Sequence, residues 1–184
     1  MVKGLVIAVV LVGLSGVAEA QFELPAGRFG LATGIRQNTG AVGADYGFGF
    51  LLGVEAGYQP SLAGRRYSLG ANWGLLWGRF GADNPALVND LLIVLEMNFG
   101  GRLRLAIDEN SPRFVFLGVG GTVLRTNFPV DPGNRRSHFG PYVSVGLDQY
   151  LSSEFLVALE ARYGVIASGP TSLSLVATFN ISSL

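Results

Sequence analysis

The stretch DLLIVLEMNFGGRLRLAID, from Asp90 to Asp108, alternates between apolar and polar residues. One parity is apolar, and it holds Leu91, Ile93, Leu95, Met97, Phe99, Leu103, Leu105 and Ile107. The other parity carries Asp90, Glu96, Asn98, Arg102, Arg104 and Asp108. Because a β-strand turns successive side chains to opposite faces, this pattern predicts one strand with an apolar face and a charged face. At about 17 residues it is longer than an ordinary globular strand and suits a tilted strand that crosses a membrane.

The same alternation recurs along the chain and predicts eight strands. We expect them at about 28–36, 46–59, 66–79, 90–107, 113–125, 138–151, 154–166 and 171–181. Connections that follow odd-numbered strands are mostly long (37–45, 80–89 and 126–137), whereas those that follow even-numbered strands are short (60–65, 109–112 and 152–153). Outer-membrane barrels have short periplasmic turns and longer external loops. An even number of strands also returns both termini to the periplasm.

The first twenty residues have the features of a cleaved signal peptide. Lys3 supplies the positive charge, residues 5–14 the apolar segment, and Ala18-Glu19-Ala20 a small-x-small cleavage site. We therefore expect cleavage before Gln21, with residues 1–20 as signal peptide and 21–184 as one barrel domain. Lys3 is the only lysine, so the mature chain would carry 12 arginines (13 basic residues minus Lys3) against 12 acids (13 minus Glu19). Such a balance does not favour a nucleic-acid partner.

The composition favours a surface that meets lipid. Charged residues are 14% of the chain and apolar residues 49%, whereas soluble domains average about 25% charged residues. No apolar stretch after residue 20 is long enough for a membrane helix, so a closed barrel is the remaining way to satisfy every backbone group in lipid. A soluble lipocalin-like barrel would instead turn its large apolar residues inward and cover its exterior with charge.

Aromatic residues on the predicted outer face are candidates for the two interfacial girdles of such a barrel. Tyr67 and Trp77 lie ten positions apart on one face, roughly 25 Å along the membrane normal for a strand tilted near 40°. Amphipathic rings prefer the headgroup layer. The predicted girdle comprises Tyr58, Tyr67, Trp73, Trp77 and Tyr163.

Charged residues on the inward face form the richest candidate site. They are Arg36, Glu55, Glu96, Arg102, Arg104, Asp148, Glu160 and Arg162, on a face otherwise rich in glycine. Isolated charges in a narrow lumen are costly, so they should pair. We expect two clusters, one joining Glu55 and Glu160 to Arg102 and Arg104, and the other joining Glu96 to Arg162. The same parity places Phe114 and Phe116 inside, against the general pattern.

The pattern of the whole chain resembles the small eight-stranded outer-membrane barrels, of the kind seen in OmpX and in the membrane domain of OmpA. The resemblance covers Ala26 to Ile181 and implies an all-β, antiparallel up-and-down transmembrane barrel in the outer membrane of a Gram-negative-type bacterium. It also implies insertion by the barrel-assembly machinery, which reads a last strand with alternating apolar residues. Leu173 to Ile181 alternate in this way, but the chain ends in Ser182-Ser183-Leu184 rather than in Phe or Trp.

The functional expectation is a monomeric, non-enzymatic barrel with a structural or surface-interaction role. Inward charges would close the lumen, and the loops, with Arg135 and Arg136 as candidates for contact with lipopolysaccharide, would form the contact surface. The alternative is a small-solute or lipid-handling barrel, either a narrow gated channel or a carrier of a hydrophobic ligand. The single histidine, His138, has no spacing that indicates a catalytic triad, and no cofactor or metal site is expected.

Overall fold

The computed structural model describes residues 26–39, 45–60, 67–83, 91–107, 112–127, 135–166 and 171–183. Within them the chain forms eight strands, joined into one closed antiparallel barrel in which each strand pairs with its neighbours in sequence and β8 pairs with β1. The strands are β1 (Gly27–Thr39), β2 (Phe48–Tyr58), β3 (Tyr67–Gly81), β4 (Leu91–Ala106), β5 (Arg113–Asn127), β6 (Arg135–Tyr150), β7 (Phe155–Gly164) and β8 (Thr171–Ser183). The predicted all-β, eight-stranded antiparallel barrel is therefore confirmed. No helix formed by these residues is long and apolar enough to cross a membrane.

The strand register fixes the tilt of the barrel. If cross-strand partners are followed once around the barrel from Gly27, the path returns to β1 at Gln37, ten residues further along. A stagger of this size requires strands inclined at about 40° to the barrel axis. The start of β1 lies beside the end of β8, since Gly27 pairs with Ser183. We call this end of the barrel the terminal end and the opposite end the distal end.

Burial along each strand follows the predicted alternation. On β4 the outward Leu95, Met97 and Phe99 are exposed, whereas the intervening Glu96 and Asn98 are buried in the lumen. The exterior is apolar around the whole circumference, with Leu31 64% and Phe179 59% exposed. A barrel with this surface buries its charges inside and presents hydrocarbon outside, the reverse of a water-soluble protein.

Several strands are longer than the alternation predicted. β1 continues to Thr39, and β5 and β6 continue to the pair Asn127 and Arg135. The prediction that Arg135 and Arg136 lie in a loop is therefore wrong, because the backbone ladder continues through these polar residues, and Arg136 pairs with Thr126. The predicted signal peptide at residues 1–20 lies outside the described residues, as do most of the predicted loops.

One predicted short turn is described, between β6 and β7. The backbone N–H of Leu151 donates to the carbonyl of Phe155 at 2.8 Å. The Ser152 hydroxyl accepts from the backbone N–H groups of Glu154 and Phe155, each at 3.2 Å. These bonds satisfy the backbone of a four-residue connection, in which a serine side chain substitutes for a carbonyl acceptor. The turn lies at the terminal end, as the alternation of short and long connections predicted.

Candidate functional site: the lumen of the barrel

Charged side chains fill the middle of the lumen. Among the described residues, five arginines and four carboxylates are buried there: Arg28, Arg36, Arg102, Arg104 and Arg162, with Glu55, Glu96, Asp148 and Glu160. They come from five different strands (β1, β2, β4, β6 and β7), and each occupies an inward position of its strand. All six charged residues predicted to form the lumen network are among them.

Arg162 on β7 connects three carboxylates. Its Nη2 lies 3.1 Å from Glu55 Oε1 and 3.1 Å from Glu160 Oε1, and its Nη1 lies 3.6 Å from Glu96 Oε1. Glu96 also forms an ion pair with Arg36 on β1. The three carboxylates lie on β2, β4 and β7, and no two of these strands are adjacent. The single guanidinium of Arg162 therefore links strands that do not pair with each other.

Asp148 on β6 is the corresponding centre nearer the terminal end. It forms ion pairs with Arg104 at 2.5 Å, Arg28 at 3.3 Å and Arg102 at 3.8 Å. Arg102 also reaches Glu160 at 2.6 Å. Arg102 and Glu160 therefore join the two centres, and the nine charges form one connected network.

This pairing differs from the two predicted clusters. Of the expected contacts, Glu160 does meet Arg102, and Glu96 does meet Arg162. Glu55 instead pairs with Arg162, and Arg104 pairs with Asp148. The reason is the stagger of the barrel, which shifts each strand along the axis relative to its neighbours. The heights of charged residues that were estimated one strand at a time are therefore displaced from their true heights.

Aromatic rings also contact two arginines of the network. The Arg102 guanidinium lies 3.8 Å from the centroid of Phe116, and Arg104 lies 5.3 Å from that of Phe114. The inward placement of both phenylalanines, predicted from parity, is confirmed, since both are buried. A guanidinium over a ring face is stabilised by the ring quadrupole, which gives these rings a function in the lumen.

Apolar side chains close the lumen on both sides of the network. The distal cluster contains Ala32, Tyr46, Leu51, Leu76, Phe80, Leu92, Val94, Leu124, Ile166 and Val176, each at most 4% exposed. The terminal cluster contains Phe114, Tyr150 and Leu156, each at most 5% exposed. These layers were not predicted from the sequence, although Leu92 and Val94 share the inward parity of Glu96.

The five predicted girdle residues all face outward. Tyr58, Tyr67, Trp73, Trp77 and Tyr163 are each 40–61% exposed. Tyr67 begins β3 at the terminal end, and Trp77 lies near the distal end of the same strand. Trp73 lies between them, nearer the middle of the strand, so we expect it to lie deeper in the membrane than the girdle position first predicted for it. The side chains of Arg135 and Arg136 are outside the described part of the structure.

His138 faces the lumen near the distal end and is 9% exposed. Its strand position pairs with Leu124, a member of the distal apolar cluster. Within the described residues, no group of three or more His, Asp or Glu side chains is placed to hold a metal ion.

Solved structures share this architecture, including the following three. The crystal structure of neisserial surface protein A matches with a TM-score of 0.63 at 13% identity, over 86% of this chain and 97% of that one. Ail, the attachment invasion locus protein of Yersinia pestis, matches in its complex with the heparin analogue sucrose octasulfate with a TM-score of 0.55 at 11% identity, over 84% and 97%. The outer-membrane protein OprG of Pseudomonas aeruginosa matches with a TM-score of 0.52 at 12% identity, over 86% and 95%.

The chain has the fold of the small eight-stranded outer-membrane barrels. The resemblance seen in the sequence pattern is thereby confirmed at the level of the fold. No protein-family model matches the sequence, and no curated protein matches it either. At identities of 11–13%, the likeness extends to the architecture of the barrel and not to its ligands.

Proposed function

We propose that the protein is a monomeric bacterial outer-membrane barrel with a closed lumen and a non-enzymatic, structural or surface-interaction role. The location is supported by the continuous apolar exterior, on which residues such as Leu31 and Phe179 are more than half exposed. Soluble monomers rarely expose a contiguous apolar area of this extent, so this surface is expected to be covered by lipid. The matched structures include named outer-membrane and surface proteins, which supports the same location.

The proposed orientation of the barrel in the membrane has its terminal end in the periplasm. Residues 1–20 would direct export and be removed, and the barrel-assembly machinery would insert the mature chain with both termini in the periplasm. Gly27 and Ser183 are paired at one end of the barrel, as this requires. The distal end, with the longer connections, would then face the exterior of the cell and provide the contact surface.

The observation that carries the closed lumen is its three-layer filling. An apolar cluster at the distal end, nine paired charges in the middle and the Phe114–Tyr150–Leu156 cluster at the terminal end follow one another along the axis. An eight-stranded barrel has an interior that side chains can fill, and here the filling side chains are almost wholly buried. This supports a plug that fixes the register of the strands rather than the alternative of a gated channel or a carrier.

Contact with anionic sugars or lipids is a second part of the proposal. The solved Ail complex contains a polysulfated sugar. In this chain, Arg135 and Arg136 begin β6 at the distal end, and arginine is suited to bidentate pairing with phosphate or sulfate. We propose lipopolysaccharide as the anionic partner of that end.

The deciding experiment is electrophoresis of outer-membrane fractions in SDS, with and without boiling. A closed barrel that is kinetically stable in SDS migrates differently until it is heated, so a boiling-dependent shift is expected. Reconstitution into a planar bilayer completes the test, and no discrete conductance is expected. Recovery from the soluble periplasm with no shift would overturn the location, whereas stable unitary currents would overturn the closed lumen.

A further inference from the structure

The charged side chains that point outward from the described strands are all arginines. Among the described side chains that point outward from the strands, none is a carboxylate, and the charged ones are Arg79, Arg113 and Arg125. The strand carboxylates Glu55, Glu96, Asp148 and Glu160 all lie in the lumen. The outward surface of the described strands is therefore cationic, and the exposed carboxylates Asp83 and Glu154 lie beyond the strand ends.

Arg79 and Arg125 occupy equivalent positions near the distal end. Each lies two residues before the end of its strand, β3 for Arg79 and β5 for Arg125, and both are exposed. Arg79 pairs across the sheet with Ile93 on β4, and Arg125 pairs with Leu95 on the same strand. Two strand spacings separate their strands, about 9–10 Å. The two guanidinium groups thus stand on either side of the start of β4.

The outer surface between the two arginines, and next to them towards the middle of the barrel, is apolar. Trp77 lies two residues before Arg79 on the same face and pairs with Leu95. Trp77 is 44% and Leu95 39% exposed, and Met97 extends the apolar strip of β4 towards the middle of the barrel. A long arginine can lie along such a surface and hold its charge at the edge of the hydrocarbon layer, which is the level of lipid headgroups.

We propose that Arg79 and Arg125 form a binding site for a phosphorylated lipid of the leaflet at the distal end, with phosphates on the two guanidinium groups and acyl chains along β4. This inference rests on the proposed membrane location. Arginine binds phosphate through paired, charge-assisted hydrogen bonds, so two arginines on either side of one strand suit a headgroup with two phosphates. Trp77, Ile93 and Leu95 favour a lipid over a soluble anion, because a soluble anion would leave them uncovered.

Native mass spectrometry of the mature protein in detergent tests the site. The probe is a bis-phosphorylated glycolipid, compared with the same lipid after removal of its phosphates. Arg79→Gln with Arg125→Gln should weaken binding of the phosphorylated lipid by at least about tenfold. Arg79→Lys with Arg125→Lys should bind more weakly than the unmodified protein but more tightly than the double glutamine variant, because the charge remains and the paired hydrogen bonds are lost. Arg113→Gln is the matched control, since it removes an outward arginine at the terminal end.

The outcomes separate this site from the proposed location. Equal binding by the double glutamine variant and by Arg113→Gln, equal binding of the dephosphorylated lipid, or displacement of the lipid by inorganic phosphate would each overturn the lipid site. If the lipid site is overturned in one of these ways but the protein still shows the boiling-dependent shift and inserts into vesicles, the proposed function is unaffected. If the protein neither shifts nor inserts, both fail together.

Discussion

Arg162 on β7 donates a hydrogen bond of 3.1 Å to Glu55 on β2, across the lumen and 107 residues away in the chain. Glu55 also accepts from the Thr178 hydroxyl on β8 at 3.2 Å. β2 is adjacent to neither β7 nor β8, so the backbone ladder does not pair Glu55 with the strands that carry Arg162 and Thr178. The contact therefore adds a direct link across the lumen between strands whose relative heights are set by the stagger of the closed sheet.

Replacing Arg162 by methionine should strongly destabilise the barrel. The change leaves Glu55, Glu96 and Glu160 buried with less compensating charge, and breaking a buried pair in this way costs about 3–5 kcal/mol. The free energy of unfolding in urea, followed by tryptophan fluorescence in detergent micelles, measures the effect. Arg125→Met is the matched control and should change the free energy of unfolding by less than about 1 kcal/mol, because its side chain is exposed. Equal losses in the two variants would contradict a stabilising network.

Asp148 and Arg104 should show strong energetic coupling. They are 2.5 Å apart, and Asp148→Asn would leave Arg28, Arg102 and Arg104 around a neutral amide. In a double-mutant cycle, Asp148→Asn and Arg104→Met should deviate from additivity by more than about 1 kcal/mol in the free energy of unfolding. The control cycle pairs Asp148→Asn with Arg125→Met and should be additive within about 0.5 kcal/mol. Additivity in both cycles would show that the ion pair contributes little.

The sequence sufficed to predict the fold because alternation is a local signal. Each inward or outward assignment on β4 requires only the parity of residues such as Leu95 and Glu96, and the structure has the same parity throughout that strand. Strand ends were less predictable. Arg135 and Arg136 look like loop residues in composition, yet hydrogen bonding to the end of β5 keeps them in β6.

The contacts inside the lumen could not be predicted in the same way. Whether Glu55 meets Arg102 or Arg162 depends on the relative heights of strands on opposite sides of the barrel, and these heights follow from the ten-residue stagger of the closed sheet. No single strand carries that information. Arg28 was detectable, since it shares the parity of Arg36 on β1, and its ion pair with Asp148 shows that it belongs to the network.

The two tryptophans should report different depths in a bilayer. Trp73 and Trp77 lie four residues apart on the outer face of β3, which corresponds to about 10 Å along the normal for a strand tilted near 40°. In vesicles of brominated lipids, the single-tryptophan variant Trp77→Phe leaves Trp73, which should be quenched most by bromines deep in the acyl chains. Trp73→Phe leaves Trp77, which should be quenched most by bromines near the headgroups. Identical depth profiles would contradict the placement of Trp77 in an interfacial girdle.

Two adjacent glycines on β4 should differ in how much alanine destabilises them, because they face opposite sides of the sheet. A Cβ at Gly100 would lie 2.5 Å from the Tyr142 hydroxyl and 3.0 Å from the Cα of Gly120, and would also meet the carbonyl oxygen of Val119. A Cβ at Gly101 would have the carbonyl oxygen of Gly70 as its nearest neighbour, at 3.8 Å. Gly100→Ala should therefore lower the free energy of unfolding by about 2 kcal/mol, whereas Gly101→Ala should change it by less than about 0.5 kcal/mol.

Part of the loss in Gly100→Ala should come from the tyrosine it displaces, and part from the nearer backbone carbonyl of Val119. Tyr142 accepts a hydrogen bond from Asn72 at 3.2 Å and lies beneath the Arg162 guanidinium, 5.0 Å from its ring centroid. If steric displacement of the ring is the cause, Tyr142→Phe, which removes only the hydroxyl, should relieve part of the penalty when it is combined with Gly100→Ala. Urea unfolding of the two single variants and the double variant measures this. A penalty that is unchanged in the double variant would assign the cost to the contact with the backbone of β5.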